Sequence, residues 1–252
     1  MTYKTAQIAA LVGVHPNTIR LYEKLKLLPP IPRTEGNYRI FNDRHLKQLR
    51  LLRTAFRAEI ISDRLRQEVY EIVKIAATDD IEGAYQSTLN YLEHLLIEKV
   101  RAEEAISIAL NIIENSKKSV ETIVFNGRVE AANALGITKD VLRDWERNGL
   151  IEVPRSANGY RRYGSKEMSR LKIISILRNA HYSMMSILRM LNRLDRGEGN
   201  IREAIDTPGE EEDIVFATDR YITALDMAEA DAQEMLKILD AIRKGNVEKH
   251  QN

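Results

Sequence analysis

Two segments of the chain carry side chains that can hydrogen-bond to base edges or to phosphate oxygens. In the first segment they are Asn17, Thr18, Arg20, Tyr22 and Lys24, followed beyond a proline by Arg33, Asn37, Tyr38 and Arg39. In the second they are Lys139, Arg143, Trp145 and Arg147, followed by Arg155, Tyr160, Arg161 and Arg162. In the major groove arginine pairs with guanine and asparagine with adenine, and the later arginines suit phosphates. These residues are the candidate DNA contacts, although Tyr22 and Trp145 also suit partial burial in a core.

The second segment is an altered copy of the first. Residues 13–41 read GVHPNTIRLYEKLKLLPPIPRTEGNYRIF, and residues 136–163 read GITKDVLRDWERNGLIEVPRSANGYRRY. An offset of 123 aligns Gly13, Arg20 and Glu23 with Gly136, Arg143 and Glu146. After one residue is dropped near Pro29, an offset of 122 aligns Tyr38 and Arg39 with Tyr160 and Arg161. The period is far longer than that of a solenoid repeat, so the pattern indicates two copies of a whole domain.

The elements that position these residues follow from local patterns. Residues 5–12 have apolar side chains at helical spacing, and Gly13 then breaks the helix at a tight turn. Pro16 suits the first position of the next helix, and Thr138 suits the cap of its counterpart. Helix, turn and helix form a helix-turn-helix. Gly36-Asn37 and Asn158-Gly159 predict two-residue turns that close β-hairpins.

With these elements in place, the chain resembles the MerR family of bacterial transcription regulators. The first copy carries TIRLYEKLKLL, a proline and then RTEGNYRIF. The second carries VLRDWERNGLIEVPRSANGYRRY followed by LRNAHYSMMSILRML. The first copy departs from the family pattern at residues 57–62, RAEIIS, where the second has NAHYS. The resemblance implies a winged helix-turn-helix domain in each copy. It also implies binding between promoter elements and distortion of the DNA, which changes how RNA polymerase meets the promoter.

Two long helices are predicted outside the copies. The first begins at Asp79-Asp80 and runs to about residue 115, with an apolar stripe of Leu89, Leu92, Leu95, Leu96, Val100, Ile106, Leu110 and Ile113. After a predicted loop at 197–206, Thr207-Pro208-Gly209-Glu210 begins the second. It has a regular 4-3 stripe of Ile214, Thr218, Tyr221, Leu225, Ala228, Ala232, Met235, Leu239 and Ile242, and is expected to end at Gly245. Such a stripe is typical of a coiled coil.

The predicted fold is therefore mainly α. MerR-type winged helix-turn-helix domains are expected at 1–78 and 123–196, and a long helix follows each, at 79–118 and 207–245. In the resembled family each chain has one head and one long helix, and two chains pair through an antiparallel coiled coil. Here one chain supplies both halves, so we expect the long helices to pair with each other in a single-chain pseudodimer. The alternative is a homodimer in which they pair between two chains and present four heads.

The net charge of +1 conceals a strong asymmetry along the chain. Residues 1–57 hold 11 Lys and Arg against 3 Asp and Glu, and residues 125–193 hold 13 against 6. Residues 58–124 hold 7 Lys and Arg against 13 acids, and residues 198–240 hold 3 against 13. Basic copies that alternate with acidic connectors are expected when two modules meet phosphates and the rest of the chain does not.

The amino-acid composition argues against several other kinds of function. The chain has no cysteine, so the thiolate metal or redox sensing of several members of the resembled family is not expected. The five histidines are scattered, and no Gly-rich phosphate loop, nucleophile-base arrangement or metal cluster is apparent, so neither an enzyme nor a cofactor is predicted. No segment approaches 18 apolar residues, which argues against a membrane span, and we expect a cytoplasmic protein.

The sequence thus predicts a transcriptional regulator that binds double-stranded DNA at promoters. Its two heads differ where Asn17-Thr18 aligns with Asp140-Val141, so unequal half-sites are expected. Two alternatives remain at this stage. One is an architectural or segregation factor that binds DNA outside promoters, as some MerR-like heads do. The other is a small-molecule sensor with Tyr85, Tyr91, Tyr221 and Met227 around a site near the coiled coil.

Overall fold

The computed structural model describes residues 1–57, 63–116, 124–197, 201–206 and 220–250. The chain divides into two compact units, one made of Met1–Ile97 with Ala224–Asn252 and the other of Glu98–Thr223. One sequence copy lies in each unit. The predicted departure from the family pattern at 58–62 and the predicted helix start at Thr207 lie outside the described residues.

The first unit contains the first copy and its following helices. In chain order the elements are β1 (Thr2–Tyr3), α1 (Thr5–Leu11), α2 (Pro16–Lys24), β2 (Phe41–Asn42), α3 (Asp43–Ala55), α4 (Asp63–Ala77) and α5 (Ile81–Ser116), whose residues 81–97 belong to this unit. β1 pairs antiparallel with β2, with Tyr3 opposite Phe41. The core contains Ile8, Ile19 and Leu49, none of which is exposed.

The second unit repeats this order. It contains β3 (Phe125–Asn126), α6 (Arg128–Ala134), α7 (Lys139–Arg147), β4 (Arg162–Tyr163), α8 (Ser165–Asn179), α9 (Met184–Asp195), α10 (Ile201–Asp206) and the start of α11 (Tyr221–His250), most of which lies in the first unit. β3 pairs antiparallel with β4, with Phe125 opposite Tyr163. Tyr182 is fully buried, and its ring meets that of Tyr221 edge-on with centroids 5.2 Å apart.

The helix-turn-helix prediction is confirmed in its local detail. Gly13 and Gly136 have φ of 65° and 67°, a left-handed conformation that glycine adopts without strain, and each ends the turn after the first helix. Pro16 is the first residue of α2. Thr138 caps α7, because its Oγ1 accepts a hydrogen bond of 3.2 Å from the Val141 N–H.

A side chain on the third helix of each copy fixes the end of the second helix. Gln48 is fully buried and donates from Nε2 to the Leu27 carbonyl at 3.0 Å and the Val73 carbonyl at 2.9 Å. Its counterpart Arg170 donates to the Leu150 carbonyl at 2.7 Å and pairs with Asp195. In each copy, one side chain of the third helix thus bonds to the segment after the second helix and to the fourth helix. The first copy uses an amide for this and the second uses a guanidinium.

The hairpins differ from the prediction in their turns. Asn37 N–H donates to the Thr34 carbonyl at 2.8 Å, and Gly159 N–H donates to the Ser156 carbonyl at 2.8 Å. Each loop therefore has three residues, and its last residue is left-handed, with φ of 63° at Asn37 and 81° at Gly159. This is a type I turn closed by a bulge, so the predicted two-residue turns at Gly36-Asn37 and Asn158-Gly159 are wrong. The hairpin arms pair at single bridges, Arg33 with Arg39 and Arg155 with Arg161.

The long helices follow the prediction in part. α5 begins where predicted, with Asp80 accepting a hydrogen bond from Gly83 N–H at 2.8 Å. The predicted end of the second long helix at Gly245 is wrong, because α11 continues to His250. A helix tolerates an interior glycine at a cost of about 1 kcal/mol, and no proline follows to stop it. The segment 201–206, predicted as loop, is α10, which packs on α9 through a 2.8 Å hydrogen bond from Arg189 to the Ala204 carbonyl.

The buried face of α5 also differs from the predicted stripe. Leu89, Leu96 and Val100 are exposed by 38%, 43% and 56%. Leu95, Ile106 and Ile113 of the predicted stripe are buried, as predicted. Half of the ten buried positions hold small residues; the ten are Ile81, Ala84, Thr88, Tyr91, Leu95, Ala102, Ala105, Ile106, Ala109 and Ile113. The stripe predicted on α11 is buried at each described position from Tyr221 to Ile242. Within the first unit, Arg243 of α11 pairs with Glu82 of α5 at 3.1 Å and lies over the Tyr85 ring.

Candidate nucleic-acid interface

The second helix of the first copy has a buried side and a polar side, as its sequence predicts. Ile19 is fully buried, Thr18 and Tyr22 are partly buried, and Asn17, Arg20 and Lys24 are exposed. Arg20 lies one turn from Asn17 and donates to its Oδ1 at 3.0 Å. The helix therefore presents an amide and two cations to solvent.

The equivalent helix of the second copy has the same two sides. Lys139, Arg143 and Arg147 are exposed, whereas Leu142 is fully buried. Trp145 was predicted as a DNA contact, and the structure corrects this. The residue is only 5% exposed, because the indole packs in the core and does not lie on the exposed side. The residue suits this place because its large apolar ring falls on the same side of the helix as Leu142.

Two wing arginines of the first copy bind a glutamate on the recognition helix. Arg39 donates from Nε to Glu23 Oε2 at 2.6 Å, and Arg33 donates to Glu23 Oε1 at 3.2 Å. Arg33 also bonds to Asn37 within the hairpin. The hairpin is thus fastened to the helix by charge-assisted hydrogen bonds, and its tip residue Tyr38 is 77% exposed.

The second copy has a more extensive network around the aligned glutamate. Glu146 accepts two hydrogen bonds from Arg128, at 3.1 and 2.7 Å, and one from Arg161 Nε at 2.8 Å. Tyr163 donates its phenol to the other side of the carboxylate at 2.5 Å. Burial alone would raise the pKa of Glu146, but the hydrogen bonds from Arg128 and Tyr163 and the two arginine charges outweigh it and lower that pKa. The carboxylate is therefore held ionised.

This network is the part of the site that sequence reasoning missed. Arg39 and Arg161 were predicted as DNA contacts on equal terms with the other arginines, yet both are partly buried against a carboxylate. A signal was present, because Glu23 aligns with Glu146 at the same offset of 123 that aligns Arg20 with Arg143. The first copy has Thr5 and Phe41 where the second has Arg128 and Tyr163, so it cannot make the complete network.

The remaining wing residues project to solvent. Tyr160 is 66% exposed, and Arg162 is exposed on β4. Arg155 is exposed and donates to the Gly159 carbonyl at 2.9 Å, so it stiffens the hairpin while keeping donors free to face outward.

A depression of about 490 Å³ lies between α7 and the hairpin of the second copy. Its lining is mainly charged and comprises Arg128, Arg143, Glu146, Arg147, Ile151, Glu152, Val153, Arg155 and Arg161. Five arginines against two glutamates make its surface electropositive. Arginine forks in such a concave surface fit the oxygens of a phosphate.

The residues predicted for a small-molecule site have different surroundings. Tyr91 and Tyr221 are buried, Tyr85 is covered by Arg243, and Met227 is 51% exposed. Burial raises the pKa of both Tyr91 and Tyr221 above the usual range of a phenol. Of the four, Tyr91 lines a shallow depression of about 300 Å³ between α4 and α5. Packing in the core accounts for Tyr91 and Tyr221, the two buried members of this set.

Within the described part of the chain, no three His, Cys, Asp or Glu side chains are grouped so that they could hold a metal ion. None of the helices described is both long and apolar enough to cross a membrane.

Comparison with known proteins matches a family model in each copy. The model of the MerR family regulatory protein matches residues 4–41, and that of the MerR HTH family regulatory protein matches residues 129–194. These segments contain both helix-turn-helix pairs except Arg128, the first residue of α6, and both hairpins except Asn42, the last residue of β2. Each copy therefore carries a MerR-type region.

Individual relatives cover only parts of the chain. A Haemophilus influenzae protein named "Probable heavy metal-dependent transcriptional regulator" is 37% identical over 75 residues, which are 29% of this chain and 59% of that protein. The mercuric resistance operon regulatory protein of Bacillus cereus is 33% identical over 78 residues, which are 31% of this chain and 59% of the relative. The chain thus spans less than two thirds of the length of these relatives.

One solved structure is also similar. It is the crystal structure of HiNmlR, a MerR family regulator lacking the sensor domain, bound to promoter DNA. The match has 24% identity and a TM-score of 0.27, and it covers 56% of this chain and 96% of that chain.

Proposed function

We propose that this protein is a MerR-type transcriptional regulator whose two heads bind two unequal half-sites of promoter DNA and distort that DNA. The observation that carries the proposal is the same in each copy. A recognition helix has its basic side exposed, and a wing tipped by an exposed tyrosine is fastened to that helix through a glutamate. The family-model match in each copy and the charge of the two copies support it.

The proposed roles divide between helix and wing. Asn17, Thr18, Arg20 and Lys24 contact base edges in one half-site, and Lys139, Arg143 and Arg147 do so in the other. Exposed wing residues contact phosphates, namely Arg33, Asn37, Tyr38, Arg155, Tyr160 and Arg162. Arg39 and Arg161 hold the wings in position. Tyr22 is partly buried and contributes mainly through packing.

We further propose that the long helices of one chain pair with each other, so that a single chain acts as the dimer does in one-headed relatives. The buried stripe of α11 and the Arg243–Glu82 ion pair support this pairing. A regulator of this kind acts in the cytoplasm, and its expected macromolecular partners are double-stranded DNA and RNA polymerase at the promoter.

The proposal is tested by selecting bound DNA from a genomic pool and mapping the enriched sites against promoters. We expect two half-sites of different sequence within promoters. Arg20→Glu and Arg143→Glu should each weaken binding by at least about tenfold, because a phosphate-facing or base-facing cation is replaced by an anion. Lys237→Glu is the matched control, since Lys237 is an exposed cation on acidic α11, and it should bind as the wild type does.

Three outcomes would count against parts of the proposal. A perfect inverted repeat as the selected site would exclude unequal half-sites. Unchanged affinity in Arg143→Glu would leave the second head with a structural role. Sites spread evenly outside promoters would favour an architectural or segregation factor instead.

A further inference from the structure

The two heads differ in chemistry at the second residue of their recognition helices. α2 has Asn17 at this position, and α7 has Asp140. Both lie in the first helical turn, which in helix-turn-helix proteins reaches base edges in the major groove. An amide both donates and accepts hydrogen bonds, whereas a carboxylate only accepts them. The heads therefore offer different groups at the same point of the interface.

An arginine one turn further along each helix contacts this residue. Arg20 donates to Asn17 Oδ1 at 3.0 Å, and Arg143 lies 3.5 Å from Asp140 Oδ1. The contact turns the Asn17 oxygen towards Arg20, and this oxygen keeps a second lone pair. The Asp140 side chain is 66% exposed and that of Arg143 57%, so a ligand can reach both groups of the ion pair. In each head the arginine limits the rotation of the residue that precedes it by three.

We infer that Asn17 selects adenine and Asp140 selects cytosine at corresponding positions of the two half-sites, an inference that rests on the proposed function. Asparagine accepts from adenine N6 and donates to adenine N7, and a carboxylate accepts from cytosine N4. Guanine presents only the acceptors O6 and N7 in the major groove, and thymine presents the acceptor O4, so both repel a carboxylate. Adenine places its acceptor N7 beside its donor, which makes it second to cytosine for Asp140.

The negative charge of Asp140 has a second effect that must be separated from base selection. A carboxylate near the DNA repels phosphates whatever the base sequence, so its removal raises affinity for all sites alike. Base selection instead changes the ratio of affinities for two sites that differ at one base pair. The test therefore measures ratios.

The experiment is selection from a random DNA pool with the wild type, Asp140→Asn, Asn17→Asp and the double exchange. In Asp140→Asn we expect the preferred base in one half-site to change from cytosine to adenine, with the affinity ratio shifting by about tenfold or more, as for one good base contact. Asn17→Asp should cause the reverse change in the other half-site. The double exchange should swap the two bases between half-sites.

Two control variants show which base position and which half-site belong to the second head. Asp140→Ala should lose the preference at that position without gaining adenine. Arg143→Glu should reduce enrichment of the half-site that belongs to the second head and so identify it. Circular dichroism should show the same helix content in each variant, because both positions are exposed.

The outcomes separate this inference from the proposed function. If the wild type enriches no sequence, the proposed function is wrong. If it enriches two unequal half-sites whose preferred bases are the same in Asp140→Asn and Asn17→Asp, then the proposed function stands and the inference is overturned, even if overall affinity changes.

Discussion

Glu146 shows how one carboxylate can hold a DNA-facing surface together. It receives hydrogen bonds from α6, from the wing and from β4, so a single side chain joins three elements of the second head. Its side chain is only 11% exposed, and three partners compensate for the loss of water. The arginines around it keep other donors for a phosphate, because each guanidinium has five.

We expect Glu146→Gln to lower the free energy of unfolding of the second head by about 2 kcal/mol at pH 7, since hydrogen bonds to a charged group are replaced by weaker ones. The pKa of Glu146 is lowered below its ordinary value of 4.5 by folding. The stabilisation is therefore present above about pH 4.5 and is lost as the pH falls through the folded-state pKa. Urea denaturation of both proteins between pH 3 and pH 7, monitored by Trp145 fluorescence, measures the difference.

Tyr163→Phe is the matched control for that experiment, because it installs the residue that the first copy has naturally. It removes one hydrogen bond and retains the ring, so a smaller loss of about 1 kcal/mol is expected. A difference between Glu146→Gln and the wild type that stayed constant down to pH 3 would show that the carboxylate charge is not the stabilising group.

At the scale of elements, the sequence was most informative where structure is decided by neighbouring residues. Helix starts at Pro16, Thr138 and Asp80 were predictable because capping acts within one turn. The left-handed residue that lengthens each hairpin loop was not predicted. In the first copy this residue is Asn37, and the glycine before it suggested a two-residue turn. Wing anchoring was missed because its partners are 10 to 16 residues apart in sequence and meet only after folding.

The buried face of α5 was predicted only in part, for a different reason. The larger apolar residues of this helix were taken for the packing stripe, but Leu89, Leu96 and Val100 are exposed, and four of the ten buried positions hold alanine. Small side chains allow helices to approach closely, and burial then depends on spacing more than on side-chain size. Binary patterns that count only large residues overlook such a face.

Gly245 gives a test of where α11 ends. Because the helix continues to His250, Gly245 is an interior position, and Gly245→Ala should raise the free energy of unfolding by about 0.5–1 kcal/mol. An added Cβ would meet only the flexible end of Lys47, at 3.3 Å. Thermal unfolding followed by circular dichroism measures the change. A destabilised variant would indicate that the helix stops at the glycine.

Gln48 provides a second test at this scale. Gln48→Met keeps the volume but removes both donated hydrogen bonds, leaving the Leu27 and Val73 carbonyls without this donor. We expect a loss of about 2 kcal/mol in the stability of the first head. Hydrogen exchange of each copy should show the loss confined to the first, whereas equal weakening of both copies would contradict it.

At the scale of the whole molecule, the proposal gives the acidic long helices and the basic copies separate roles: the long helices pair, and the copies bind DNA. If the long helices pair within one chain, as proposed, the protein should have the mass of one chain, 28.9 kDa, at nanomolar concentration. Mass photometry or sedimentation at falling concentration measures this. A two-chain species that persists on dilution would favour the homodimer with four heads.

DNA affinity should depend steeply on salt in the same molecule. Each phosphate neutralised by a lysine or arginine adds about one to the slope of log affinity against log salt concentration. Arg155→Ala, which removes an exposed wing cation, should reduce that slope by about one while leaving the preferred sequence unchanged. A changed preferred base would instead make Arg155 a base-reading residue.

The unequal networks around Glu23 and Glu146 have a genetic consequence. In a protein built from two identical chains, every mutation appears twice, and both halves of its binding site must change together. Here Thr5 and Arg128, or Phe41 and Tyr163, are encoded separately. A single codon change therefore alters one head and spares the other. If the two heads bind two half-sites, as proposed, the two halves of an operator can diverge one base at a time.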